Sequence, residues 1–329
     1  MRQPRGLRFA FALVLLGGLA LVPPIAAAIG QPYYVTLFTR ILVMALAAVG
    51  LNLILGYGAM VSFGHSLYLG LGAYAVGILS FHGVGSGWAH LAAALGVGLV
   101  VALILGMVCL RTSGMAFIMI TLAFAQMFYF LAISLKHYGG DDGLTIAARS
   151  DFGLFSLASN TALYYFALVL LFACLAFFHR LVDARFGMVL RGCRSNERRM
   201  NALGFPTLRY RLTAYVISAL VCVIAGVLLA NLTKFAAPSY MAWQVSGELI
   251  VMIVLGGMGT LIGPVAGATA LLLLEELLAG ITQHWMVVLG PIIVLIVVLA
   301  KRGLYGYLGD LDTARAAKAA GRESRRGVQ

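Results

Sequence analysis

Apolar runs, each close to the length that crosses a lipid bilayer, recur from one end of this 329-residue chain to the other. The hydrocarbon core of a bilayer is about 30 Å thick, which takes about 20 helical residues to span. In hydrocarbon every backbone N–H and C=O needs an internal partner, so a spanning segment is a helix or part of a closed barrel. Barrel strands are written as short segments of alternating polarity, and these runs are continuous. With 62% hydrophobic and only 10% charged residues, against about a quarter charged in soluble domains, the expected fold class is an all-α polytopic membrane protein.

Spans are expected at about 7–29, 34–55, 61–81, 89–110, 115–135, 161–180, 212–232, 247–258, 262–281 and 285–300. The stretch 247–281 is too long for one upright helix. It is interrupted by "LGGMGTLIGP", where Gly256, Gly257, Gly259, Gly263 and Pro264 break a helix or let backbones touch. Splitting it gives about ten membrane elements and returns the C-terminus to the side of the N-terminus. The glycine-rich stretches 56–77 and 256–267 lie in opposite halves, as an inverted repeat would place them. The basic N-terminus is followed by an apolar run longer than a secretory signal carries, so it is expected to remain as the first span. Residues 1–310 are therefore expected to form a single transmembrane domain, with 311–329 a polar, disordered cytoplasmic tail.

The net charge of +12 is not spread along the chain. Most of the 23 Lys and Arg residues fall before Phe9, between Arg180 and Arg211, or from Lys301 onward. That pattern marks cytoplasmic segments rather than nucleic-acid binding. Both termini and the loop at about 181–211 are accordingly placed inside, and 136–160 and 234–246 outside. The four cysteines have no paired spacing, and no disulfide or metal site is implied. There is no GxxxxGK[ST] phosphate loop and no HExxH or GxSxG motif. The chain has no visible means of hydrolysing ATP.

Four stretches stand out. In "RGCRSNERRMNALGF", Arg191, Arg194 and Arg198 fall on one side of a helical wheel, with Cys193, Glu197 and Met200 on the other. Gly204 and Pro206 then stop the helix. Such a segment either rests on anionic lipid or docks a cytoplasmic partner. In "GYGAMVSFGHSLYLGLGAYAVG", which holds Ser62 and Tyr74, Gly64, Gly70 and Gly72 thin a membrane helix. His65 in the same stretch is either a functional group at membrane depth or a histidine bonded to a carbonyl near the cytoplasmic end. In "HYGGDDGLT", Gly139, Gly140, Asp141, Asp142 and Gly143 read as an outer turn or partner contact, since the acids lack calcium-loop spacing. In "SGELIVMIVLGGMGTLIGP", Glu248 is expected at a helix start, and Glu275 and Glu276 near the outer end of the following span.

Together these stretches resemble the membrane subunits of branched-chain amino-acid ABC transporters, most closely the M-type permease. The resemblance covers roughly residues 45–305. Ser62-Phe63-Gly64-His65 matches a Ser-Leu-Gly-His pattern, and Thr121 to Ala125 matches a run that normally ends in Glu, where this chain has Gln126. "ERRMNALG", Glu197 to Gly204 and including Ala202, is similar to the coupling helix that seats in an ATPase subunit, with arginines after the glutamate in place of small residues. The resemblance implies a bacterial inner-membrane importer permease that carries branched-chain amino acids. It implies a homologous second permease, two cytoplasmic ATPases that bind the ATP and Mg, a periplasmic substrate-binding protein, and surrounding lipid. This chain would bind no cofactor and no nucleic acid. The same architecture could carry urea, short amides or an aromatic acid. An ion-coupled secondary transporter would need an acid at midplane, and the acids are placed near helix ends or in loops. A membrane-bound enzyme would need clustered His, Asp or Glu, and the six histidines are scattered.

Overall fold

The computed structural model describes residues 6–153, 157–299 and 303–307, so the tail at 311–329 lies outside the described residues. The first half runs α1 (Gly6–Ile29), α2 (Tyr33–Asn52), α3 (His65–Phe81), α4 (Gly87–Cys109) and α5 (Met115–Ser134). The second half runs α6 (Asn160–Asp183), α7 (Arg185–Ala202), α8 (Thr207–Thr233), α9 (Trp243–Gly256), α10 (Gly263–Ile281) and α11 (Trp285–Leu299). Each expected span overlies one of these helices. Among the described residues, 7 helices are long and apolar enough to cross a membrane: α1, α2 with the turn that follows it, α4, α5, α6, α8 and α10. The apolar helices α3, α9 and α11 are shorter.

The core is built around α2. The span Tyr33–Tyr57 is 89% buried within the protein, against 22% for α1 and for α5. A helix apolar all round and surrounded by other helices belongs at the centre of a bundle. Helix α8 is the second buried element and crosses both α2 and α3. Its crossing with α3 is a close backbone approach: a Cβ on Gly72 would fall on the Val223 carbonyl oxygen, and one on Gly226 on the Leu69 carbonyl oxygen. In lipid there is little hydrophobic drive between helices, so such small-residue contacts carry association.

Two breaks interrupt this core. Helix α2 ends in a π-helical turn, Leu53–Tyr57, and residues 58–64 are not helical. The span expected at 61–81 therefore starts its helix only at His65. The second break, 257–262, separates α9 from α10, as the glycines implied. Gly257 and Gly259 there take φ of +121° and +73°, a region that costs other residues steric strain. Asn52 joins the two breaks: its Nδ2 donates to the Thr260 carbonyl at 2.8 Å, and its Oδ1 accepts from Gly259 N–H at 3.1 Å. Irregular backbone at membrane depth survives only when its polar groups are met inside the protein, and Asn52 meets two of them.

At the end where α8 finishes, Leu144–Thr145 and Phe235–Ala236 form a short antiparallel ribbon. "HYGGDDGLT" is a turn leading into it, with Gly139, Gly140 and Gly143 at positive φ and Asp141 and Asp142 exposed. His90 lies 2.7 Å from Ser150 Oγ and 2.8 Å from the Val84 carbonyl oxygen, and Asn231 Oδ1 accepts from Ser150 N–H. These bonds pin the 136–153 segment onto α4 and α8. Arg149 donates to the Ala158 carbonyl at 3.0 Å and to Asn160 Oδ1 at 2.7 Å, and burial lowers its pKa.

Candidate functional site

The non-helical segment 58–64 delivers Ser62, Gly64 and His65 to the middle of the bundle. His65 is fully buried. Its Nδ1 lies 2.9 Å from Ser62 Oγ, and its Nε2 lies 3.0 Å from Ser218 Oγ on α8. Ser218 spends its hydroxyl proton on the Gly50 carbonyl oxygen of α2, at 2.7 Å. Ser218 Oγ can therefore only accept from His65, which places the ring proton on Nε2 and leaves Nδ1 to accept from Ser62. One histidine thus links α2, the break before α3, and α8. The carbonyl bond expected for His65 is not what holds it: both ring nitrogens face serine hydroxyls.

The same layer is closed by aromatic rings and serines. Tyr68 and Tyr215 stand edge-on to His65 at 5.6 and 5.5 Å, and their hydroxyls are 3.0 Å apart. Thr121 Oγ1 accepts from Phe63 N–H at 3.2 Å, and a Cβ on Gly64 would press on the Thr121 carbonyl. So Ser62, Gly64, His65 and Thr121 do come together. Gly70 holds the Met241 side chain where a Cβ would sit. Tyr74 is buried, and its hydroxyl has no hydrogen-bond partner among the described residues. Gln126 is half-buried on α5. Gly256 packs on Gly263, and Pro264 opens α10.

The basic segment at the opposite end is not the single helix that a continuous wheel over 191–205 assumes. Asn196 has φ −162° and ψ 100°, and its Oδ1 accepts from Arg199 N–H at 2.9 Å. It therefore starts a new helical turn as an N-cap, and the face assigned to Arg198 does not continue that of Arg191 and Arg194. Arg191 donates to the Gly187 and Val182 carbonyls at 3.2 and 3.1 Å. Arg194 donates to the Gly56 carbonyl, at the π-helical turn. Glu197 Oε1 pairs with Arg211 Nη1 at 2.6 Å, and Arg211 Nε lies 3.4 Å from Met60 Sδ. Arg198, Ala202 and Gly204 are exposed, beside exposed Leu203 and Phe205. Burial, and then the Glu197 carboxylate, push the Cys193 thiol pKa up.

Sequence reasoning did not single out Asn52, Ser218, Tyr215 or Arg211. Asn52 carries a readable signal, a lone amide in an apolar run. Ser218 and Tyr215 do not, because small and aromatic residues fill membrane helices everywhere. Among the described residues, no group of His, Cys, Asp and Glu is placed to hold a metal ion.

Residues 33–299 match the family described as branched-chain amino acid transport system / permease component. The chain is 26% identical over 316 residues to the high-affinity branched-chain amino acid transport system permease protein LivM of Salmonella typhimurium, covering 87% of this chain and 74% of that protein. It is 24% identical over 282 residues to the Escherichia coli permease protein LivH of the same kind of system, covering 80% and 91%. It is 26% identical over 271 residues to the probable branched-chain amino acid transport permease protein LivM of Methanocaldococcus jannaschii, covering 71% and 77%. No solved structure matches the chain. With its apolar helices, its two glycine breaks and a family match that runs from the start of α2 to the end of α11, this multi-pass membrane protein belongs to the branched-chain amino acid transport permease family.

Proposed function

We propose that the chain is the M-type permease subunit of an ATP-driven importer of branched-chain amino acids. It works beside a homologous second permease, as the likeness to both LivM and LivH supports. Two cytoplasmic ATPases bind the ATP and Mg, and a periplasmic binding protein delivers the cargo. The chain sits in the inner membrane of a bacterium with both termini in the cytoplasm. It forms one membrane domain over 1–310, with about ten membrane elements once α3, α9 and α11 are counted. The two broken pairs, α2 with α3 and α9 with α10, are the related halves of an inverted repeat.

The observation that carries this reading is the wiring of the basic segment. Arg194 and Arg211 run from α7 and α8 to Gly56 and Met60, the two residues that flank the start of the non-helical stretch. Exposed Arg198, Arg199, Ala202 and Leu203 form the edge that the ATPase holds, while Glu197 faces inward to Arg211. A push on that edge reaches the stretch leading to His65 without passing through a flexible loop, as rigid-body rocking requires. Reconstitution tests it. The chain with its second permease, the ATPases and the binding protein imports leucine into proteoliposomes only with ATP inside, and the chain alone hydrolyses no ATP. Leucine uptake without ATPases, driven by an ion gradient, would overturn the proposal.

A further inference from the structure

The chain carries a mixed-charge patch about midway along α10, and its position follows from helix registers. Tyr33 Oη donates to Glu276 at 2.6 Å, and Asn52 bonds Thr260, which fixes α2 antiparallel to α10. That register sets Arg40 level with about Leu271. The contact of Gly267 with the Met252 carbonyl fixes α9 against α10, and one turn outward along α9 Glu248 reaches the same level. Leu271 lies about 12–15 Å from either end of α10. Glu275 is one turn further out, and both it and Arg40 act on Glu248 electrostatically.

Glu248, expected at a helix start, is instead the sixth residue of α9, which begins at Trp243. The turn Pro238–Met241 that precedes α9 packs against α3. Met241 fills the gap at Gly70, and Ser66 Oγ donates to the Met241 carbonyl at 3.1 Å.

None of Arg40, Glu248 and Glu275 makes a hydrogen bond or salt bridge among the described residues, and Glu248 Oε1 is shielded from solvent with no partner. Arg40 is exposed on the protein surface, and the two glutamates are half-buried beside it. Charges at this depth are costly facing lipid tails and are met inside proteins or water-filled cavities. Among the described residues nothing satisfies them.

We propose that Arg40, Glu248 and Glu275 form a transit site for a zwitterionic α-amino acid, with the guanidinium taking its carboxylate and the glutamates its ammonium. The chemistry that fits is one ligand with both charges on neighbouring atoms. A neutral amide or an acid lacking the amine leaves one sign unanswered. The site rests on the transport function proposed above and specifies where the cargo is held.

The test uses the whole complex in proteoliposomes with its binding protein and ATPases. ATP-driven uptake of radiolabelled leucine by the unaltered complex is the first readout, and its absence would count against the transport function itself. Given that uptake, Arg40→Gln, Glu248→Gln and Glu275→Gln are each expected to lower it at least tenfold while the second permease still co-purifies. Leu277→Ala, on the same helix but uncharged and exposed, is expected to keep it. Water access is read independently with Gln244→Cys, one turn from Glu248 and exposed, since Cys109, Cys174, Cys193 and Cys222 are all buried. A charged methanethiosulfonate should modify the Gln244→Cys variant, and millimolar leucine should slow that reaction. Uptake within twofold of normal in all three neutral variants would overturn the site. So would loss of the second permease from the complex, which would make the patch a subunit interface, or no modification at 244.

Discussion

Arg211 Nη1 lies 2.6 Å from Glu197 Oε1, and this pair joins the second turn of the basic segment to α8. Arg211 is nearly buried, whereas Glu197 remains partly open to water. The pair therefore ties the basic segment to α8, and Glu197 is not a free recognition charge. Arg211→Ala should cost about 1–3 kcal/mol, the lower end reflecting the wet carboxylate. It should uncouple ATP hydrolysis from uptake. The exchanged double variant Glu197→Arg with Arg211→Glu should recover part of the uptake lost in either single change. Equal loss in the double and single variants, measured in proteoliposomes, would show that the pair is not what transmits the motion.

The α3–α8 crossing makes a prediction with an internal control. Gly72→Leu and Gly226→Leu place side chains on backbone carbonyls, and a packed interior repays overpacking with about 1–3 kcal/mol of strain or more. Both variants should insert but lose uptake. Gly257→Leu should do the same, because its φ of +121° excludes a side chain. Gly96→Leu should be silent, since a Cβ there meets nothing within 4 Å. Uptake rates and melting temperatures in detergent separate the groups.

His65→Ala leaves the Ser62 hydroxyl without its acceptor in a dry site and opens a cavity beside Tyr68 and Tyr215. A loss of about 2–4 kcal/mol is expected from those two effects together. His65→Gln, which can present an acceptor to Ser62 and a donor to Ser218, should recover at least half of the loss in thermal stability. If His65→Gln melts no higher than His65→Ala, the two serine contacts are not what holds the layer.

Topology is open to a direct labelling experiment. All four native cysteines are buried, so added ones report cleanly. Thr145→Cys, at the ribbon end, should react with an impermeant maleimide in intact cells. Ala202→Cys, on the exposed basic segment, should react only after the membrane is opened. The reverse pattern would place the basic segment outside and remove the ATPase contact.

What residue order alone determined here is the element plan. Apolar length, the positive-inside bias and the glycine-proline punctuation set the expected spans, and helices overlie them with boundaries shifted by a few residues; among the described residues 7 of those helices are long and apolar enough to cross a membrane. Those signals are local, acting within one helix or one turn, so they are readable without a partner segment. The break at 255–264 belongs with them, because glycine and proline carry their backbone preferences wherever they stand. The start of α3 at His65 rather than at 61 does not. It depends on Thr121 and Ser246, which are far away in sequence and supply the hydrogen bonds that helix would have made. The roles of Ser218 and Asn52 are decided the same way, by which helix comes to lie beside them. Glu197 is the sharpest case: its charge was legible, but its direction was set by Arg211 on the next helix. Glu248 stands level with Leu271 because Gly267 packs on the Met252 carbonyl and sets the register of α9 against α10. Pairings of this kind are long-range and few, and a single chain of mostly interchangeable apolar residues does not encode them locally.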